Sequence, residues 1–230
     1  MDAPDAATLL EEFGDNGRLR LRSRMVGGLL HGLLEQFDEA GNLALLAQFD
    51  AGKLHGAMAV YDAAGALVQR CAFRNGLPHG LMETFVNGRR VAARTMADGV
   101  ASGPSLSFDE AGQVTARLQL LAGQLDGAAT FFHEGRQVRS ASYRAGLLDG
   151  ESIDCDADGQ VVQRCSYRAN LLHGALKRYW PNGVLMEETM YGDGVPLAPP
   201  TRFDQQGRAL GQLDAPPALF ERLKRLVRGD

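Results

Sequence analysis

Hydrophobic and polar positions alternate with a period of two along most of the chain, in short runs set apart by glycine-containing turns. Ala57, Ala59 and Tyr61 alternate with Met58 and Val60. The turn Asp62-Ala-Ala-Gly65 follows, and then Leu67, Gln69, Cys71 and Phe73 alternate with Val68, Arg70 and Ala72. Such alternation on both sides of a Gly-containing loop predicts a β-hairpin. No stretch with a helical period interrupts the runs before the last residues.

The hairpin repeats. Its turn glycine falls at Gly17, Gly41, Gly65, Gly88, Gly112, Gly135, Gly159, Gly183 and Gly207, spaced 23 or 24 residues apart. A second register runs Gly32, Gly56, Gly80, Gly103, Gly127, Gly150 and Gly174, with His-Gly in four copies. A fixed short period means that each unit buries its apolar face against its neighbours. The predicted fold is therefore all-β: an elongated single-layer antiparallel sheet of about nine consecutive hairpins over residues 1–214. Copies four and six shorten the hairpin loop by one residue, to Val86-Asn-Gly88 and His133-Glu-Gly135, a change that a turn absorbs without disturbing strand register.

Two slots carry large side chains. Before the turn stand Phe13, Phe37, Tyr61, Phe85, Phe108, Phe132, Cys155, Tyr179 and Phe203; after it stand Met25, Phe49, Phe73, Met96, Leu120, Tyr143, Tyr167 and Tyr191. Both are expected to stack as ladders on one face and to form the core. Between hairpins a further glycine recurs at Gly28, Gly52, Gly76, Gly99, Gly123, Gly146 and Gly194, replaced once by Asn170. Asn is the residue that best tolerates positive φ after glycine, so this slot is expected to be left-handed.

These Asn-Gly and Asp-x-x-Gly turns, with connectors such as Asn75-Gly76-Leu-Pro-His79-Gly80 and Asn170-Leu-Leu-His173-Gly174 and the turn Tyr179-Trp-Pro-Asn-Gly183, resemble the MORN-repeat family in its bacterial variant form. The resemblance covers residues 9–207. It departs from the eukaryotic consensus, which has Tyr-x-Gly after the turn where this chain has Ala, Arg, Val or Leu. What it implies is a sheet of successive hairpins that binds other proteins. In bacterial members the implied role is immunity- or antitoxin-like, with a toxin or effector as the partner.

Composition adds exclusions. The formal net charge is −4, so no basic field draws nucleic acid or an anionic membrane. The N-terminus lacks the basic and apolar regions of a signal peptide, and no run approaches the ~18 apolar residues of a membrane helix. A cytoplasmic location is expected. Only Lys53, Lys177 and Lys224 among 24 basic residues are lysines, an arginine bias that points to a GC-rich bacterial genome.

No catalytic or cofactor-binding residue is expected. Cys71 and Cys165 occupy one repeat slot four copies apart, too far for a disulfide. His31, His55, His79 and His173 share a slot with Asp126 and Asp149, but neighbouring copies stand about 10 Å apart, beyond what one metal ion can bridge. Each is expected to shape its own connector turn, and no metal is expected. Paired acids such as Asp38-Glu39 and Asp109-Glu110 recur as turn chemistry, and no phosphate loop appears. An enzyme is not expected.

Candidate binding residues are arginines. Arg20, Arg22 and Arg24 line one strand of the first copy, where they either discourage edge pairing or meet an acidic partner. Arg22, Arg70, Arg117 and Arg164 share one slot in alternate copies, interleaved with Leu46, Ala93, Ser140 and Glu188, on the face expected to lie opposite the aromatic ladders. Residues 215–230 place Leu219, Phe220, Leu223, Leu226 and Val227 on one helical face and basic residues beyond it. That predicts a short amphipathic helix, which caps the sheet or lies on a lipid surface. Two functions stay open: a protein-binding scaffold of the immunity type, and a membrane- or phospholipid-associated scaffold.

Overall fold

A computed structural model of the chain describes residues 6–212. The helix predicted over 215–230 lies outside the described residues. The chain divides into two compact units, Met1–Val114 with Leu120–Gly123, and Thr115–Gln119 with Gln124–Asp230. The first holds β1 (Thr8–Phe13), β2 (Leu19–Val26), β3 (Leu29–Leu30), β4 (Gly32–Phe37), β5 (Leu43–Asp50), β6 (Lys53–Tyr61), β7 (Leu67–Arg74), β8 (Leu77–Val86), β9 (Arg89–Ala97) and β10 (Val100–Phe108). Strand β11 (Val114–Leu121) is divided between the units. The second continues with β12 (Gln124–His133), β13 (Arg136–Arg144), β14 (Leu147–Cys155), β15 (Val161–Arg168), β16 (Leu171–Leu172) and β17 (Gly174–Tyr179). It ends with β18 (Leu185–Gly192), β19 (Val195–Pro196), β20 (Thr201–Phe203) and β21 (Ala209–Gln212). The described residues contain no helix, and so none long and apolar enough to cross a membrane.

Within each unit the strands pair antiparallel with their chain neighbours, as consecutive hairpins require. The short pieces β3, β16 and β19 are the starts of strands interrupted before β4, β17 and β20. Among the described residues of the first unit, β1 pairs only with β2, so its other edge carries no described strand.

Turn chemistry explains the repeat. The connector Asn75-Gly76 has φ of 52° and 85°, the two left-handed residues of a type I′ turn, whose twist matches the strands it joins. Asn170 has φ of 69°, so the left-handed slot is as expected. The hairpin loops differ: Gly65 N–H donates to Asp62 O at 2.9 Å, and Asp62 Oδ1 accepts from the N–H groups of Ala64 and Ala66 at 3.0 and 2.9 Å. This is an Asx-stabilised four-residue loop ending in a left-handed glycine. The one-residue deletions convert it to type I′, with Asn87 and Gly88 at φ of 51° and 72°.

Two bulges set which side chains share a face. In the hairpin, Val60 faces Gln69 but Tyr61 faces Leu67, so Val68 is passed over. Leu67 and Gln69 therefore point to opposite faces although they are two residues apart. The second bulge lies at the Gly80 register: Phe73 faces Pro78, but Cys71 faces Met82. Gly103 shows why glycine is needed there, with φ of 115° and the Thr95 side chain 3.1 Å from where its Cβ would stand.

The pairing corrects the expectation of one aromatic face. Opposed residues point to the same side, so Ala59, Arg70, Glu83 and Phe85 share one face, while Met58, Cys71 and Phe73 share the other. The two large-residue rows thus lie on opposite faces, and the arginines keep company with the row before the turn. The core is also not aromatic. The well-buried apolar side chains are mostly small, Ala47, Cys71, Ala93, Ala129, Ala141 and Cys165 together with Leu34 and Leu176, while Phe73 and Tyr167 are only half-buried. In a sheet without a second layer, a small residue is hidden by its larger neighbours, but a phenylalanine has nothing to cover its outer side.

Candidate functional site

The arginine face is built strand by strand. In the first unit one cross-strand row runs Glu11, Arg22, Glu35, Leu46, Ala59, Arg70, Glu83 and Ala93. The connector bulge determines its composition. Arg74 faces Leu77 at the turn, so an uninterrupted ladder would set Arg70 against Leu81; the shift at Gly80 sets it against Glu83. The same shift sets Arg22 against Glu35 instead of Leu33.

The strongest cluster forms around Glu83. Arg70 Nε donates to Glu83 Oε2, and Arg90 Nη1 donates to Glu83 Oε1 at 2.9 Å. The Glu83 side chain is 3% exposed, whereas those of Arg70 and Arg90 are 58% and 46% exposed. The guanidinium of Arg70 lies over Phe85 and that of Arg90 over Phe108, 5.8 and 4.5 Å from the ring centroids. The Arg70 hydrogen bond, aided by Arg90, holds the Glu83 carboxyl below its usual range against the opposing effect of burial. Glu83 in turn raises the Arg70 guanidinium. One buried carboxylate thus fixes two half-exposed guanidiniums, each resting on an aromatic ring.

The other predicted arginines are placed differently. Arg22 lies between Glu11 and Glu35, at 3.2 and 3.5 Å. Arg20 and Arg24 are exposed and have no carboxylate within ion-pair distance among the described residues. In the second unit Arg117 lies over Phe132 at 5.2 Å, and Arg164 meets Glu151 at 3.4 Å. The shared arginine slot thus meets a carboxylate or an aromatic ring in all four copies. Glu83 and Arg90 were missed because the decisive register depends on the bulge. The other face of the second unit carries a chain of hydrogen-bonded or paired side chains, Arg139, Asp154, Gln163, Arg178, Glu187 and Arg202.

The histidine slot corrects another expectation. His31, His79 and His173 each place Nδ1 3.2 Å from a carboxylate of the next connector, Asp50, Asp98 and Asp193. Asp126 accepts from Ala145 N–H at 3.0 Å in the same sense. In these copies the slot reaches to the next connector and not within its own turn. A backbone row runs beside it: Gly76 N–H donates to Leu54 O and Gly99 N–H to Pro78 O, each at 2.8 Å.

Residues 172–193 match the model of the MORN repeat variant family. The matched stretch is one structural period, from the residue beside His173, through β17, the Trp180-Pro-Asn-Gly183 turn and β18, to its partner Asp193. That match supports the MORN-repeat family. The hairpins on either side repeat its glycine-containing connectors and left-handed turn positions. No curated protein matches the chain.

Proposed function

We propose that this chain is a non-catalytic protein-binding scaffold that docks its partner on the arginine face. The observation that carries the reading is the Arg70–Glu83–Arg90 cluster above Phe85 and Phe108. Interfaces draw most of their energy from a few arginine and aromatic anchors, and anchors already held in place lose less side-chain freedom on binding. Here the carboxylate and the rings do the holding, while outward guanidinium N–H groups stay available to acidic partner groups. MORN repeats are as a rule binding scaffolds, which agrees with this use of the sheet. In its specific form the reading is a bacterial, cytoplasmic immunity- or antitoxin-like protein that occupies a partner toxin or effector. That form is supported by the resemblance to bacterial variant repeats and by the arginine bias of the composition.

The test is capture from a bacterial host with two baits, the native chain and the Arg70→Gln/Glu83→Gln/Arg90→Gln variant. The variant keeps the cluster hydrogen-bonding but uncharged, and a circular dichroism melt checks its fold. A protein retained by the native bait and lost from the folded variant is the expected result. Equal retention by both would place docking elsewhere. Co-sedimentation with phospholipid vesicles, undiminished in the variant, would favour the lipid-associated scaffold.

A further inference from the structure

At the β1 edge of the first unit, the hollow between β1, β2 and β4 joins free charge to exposed apolar surface. It measures about 330 Å³ and is lined by Leu9, Arg22, Arg24, Leu33 and Glu35, among others. Leu9 stands directly opposite Arg24 on the neighbouring strand. Leu33 shares that face, two residues from Glu35, which opposes Arg22. Both leucines are exposed, Leu9 at 63% and Leu33 at 45%. Arg22 is already held between Glu11 and Glu35. Arg24 has no carboxylate in reach among the described residues, so the uncompensated charge in the hollow is its own.

We propose that this hollow receives an acidic segment of a partner protein, one that presents an aliphatic side chain beside a carboxylate. The inference rests on the protein-binding reading and names the chemistry of one contact. A carboxylate placed on Arg24 gains a charge-assisted hydrogen bond that the protein itself does not supply. An aliphatic group beside it removes Leu9 and Leu33 from water, which favours association. Among the described residues β1 pairs on one side only, so an extended segment can approach without displacing a described strand. A polyanion such as nucleic acid fits poorly, since Glu11 and Glu35 stand within the same row and a phosphate backbone needs a run of uncompensated cations.

The experiment titrates the full chain with a fluorescent peptide of alternating Asp and Leu, read by anisotropy, with an Asn-Leu peptide and a single-stranded oligonucleotide as comparison probes. Expected is saturable binding of the Asp-Leu peptide that falls about tenfold in Arg24→Gln and in Leu33→Ser. The Asn-Leu peptide should bind at least about tenfold more weakly. Arg168→Gln, which removes an exposed arginine of the second unit, should leave affinity unchanged. Equal loss in Arg24→Gln and Arg168→Gln would reduce the effect to general charge attraction and overturn the proposal. Equal binding of the Asn-Leu peptide, tighter binding of the oligonucleotide, or no peptide binding would overturn it as well. If a host protein is captured through the arginine face while the peptide fails to bind, the scaffold reading stands and this inference alone falls.

Discussion

Replacing both Arg70 and Arg90 by Met leaves the Glu83 carboxylate with its cover but without its partners. The methionine chains keep apolar mass over Phe85 and Phe108, so packing changes little. The carboxylate, 3% exposed, is then a buried charge without compensation. Removing the partners of such a charge costs about 3–5 kcal/mol, and the lower end, about 3 kcal/mol, applies where water can reach the face once the guanidiniums are gone. In a Glu83→Gln background the same double replacement should cost only about 1 kcal/mol, because an unpaired neutral amide is left in place of an unpaired charge. Urea unfolding of the native chain, the double variant, Glu83→Gln and the triple variant, followed by circular dichroism, closes this cycle. The acid side of the profile gives a second reading. The folded state holds the Glu83 pKa below that of the unfolded chain, whose ordinary value is 4.5. The stabilisation from the cluster is therefore complete above that value and lost as pH falls through the lower folded one. The double Met variant should show a correspondingly weaker loss of stability on acidification. Equal cost of the double replacement in both backgrounds would refute the reasoning, since the arginines would then act through packing on the rings and not through Glu83.

Gly103→Ala should destabilise by more than about 1 kcal/mol in the same assay, because a Cβ at φ of 115° is strained and meets Thr95 at 3.1 Å; an unchanged midpoint would mean that the bulge does not need glycine. Native-state alkylation followed by mass spectrometry should modify Cys155 first, since it is part-exposed while Cys71 and Cys165 are buried, and desolvation pushes all three thiols up. Labelling of Cys71 or Cys165 as fast as Cys155 without unfolding would contradict the buried small-residue row.

Much of this was legible in the sequence, for a physical reason. A period of 23–24 residues fixes the hairpins, and Asn170 in a glycine slot reveals left-handed backbone because few residues adopt it. What alternation cannot show is a bulge. Counting by twos through Val68 puts Leu67, Gln69 and Cys71 on one face, and the chain's own pairing divides them. Alternation alone therefore puts the aromatic rows on one face and in the core, whereas they lie on two faces and Phe73 and Tyr167 are half-covered. The arginine slot was found, since Arg22, Arg70, Arg117 and Arg164 recur at one repeat position. Its partners were not, because Glu83 faces Arg70 only after the two-residue shift at Gly80. The histidines were placed correctly in connectors, yet their carboxylate partners sit 19 or 20 residues on, in the next copy.

The central claim is that a partner protein docks on the arginine face and not on the face bearing Cys71. Leu81 and Thr84 on β8 separate the two, because Leu81 shares the side of Glu83 and Thr84 points the other way. A photo-crosslinking amino acid placed at each position, one at a time, and irradiated with the captured partner present reads the docking face directly. Cross-linking from Leu81 and none from Thr84 is the predicted result. Cross-linking from Thr84 alone would contradict the account and move the interface to the opposite side of the sheet.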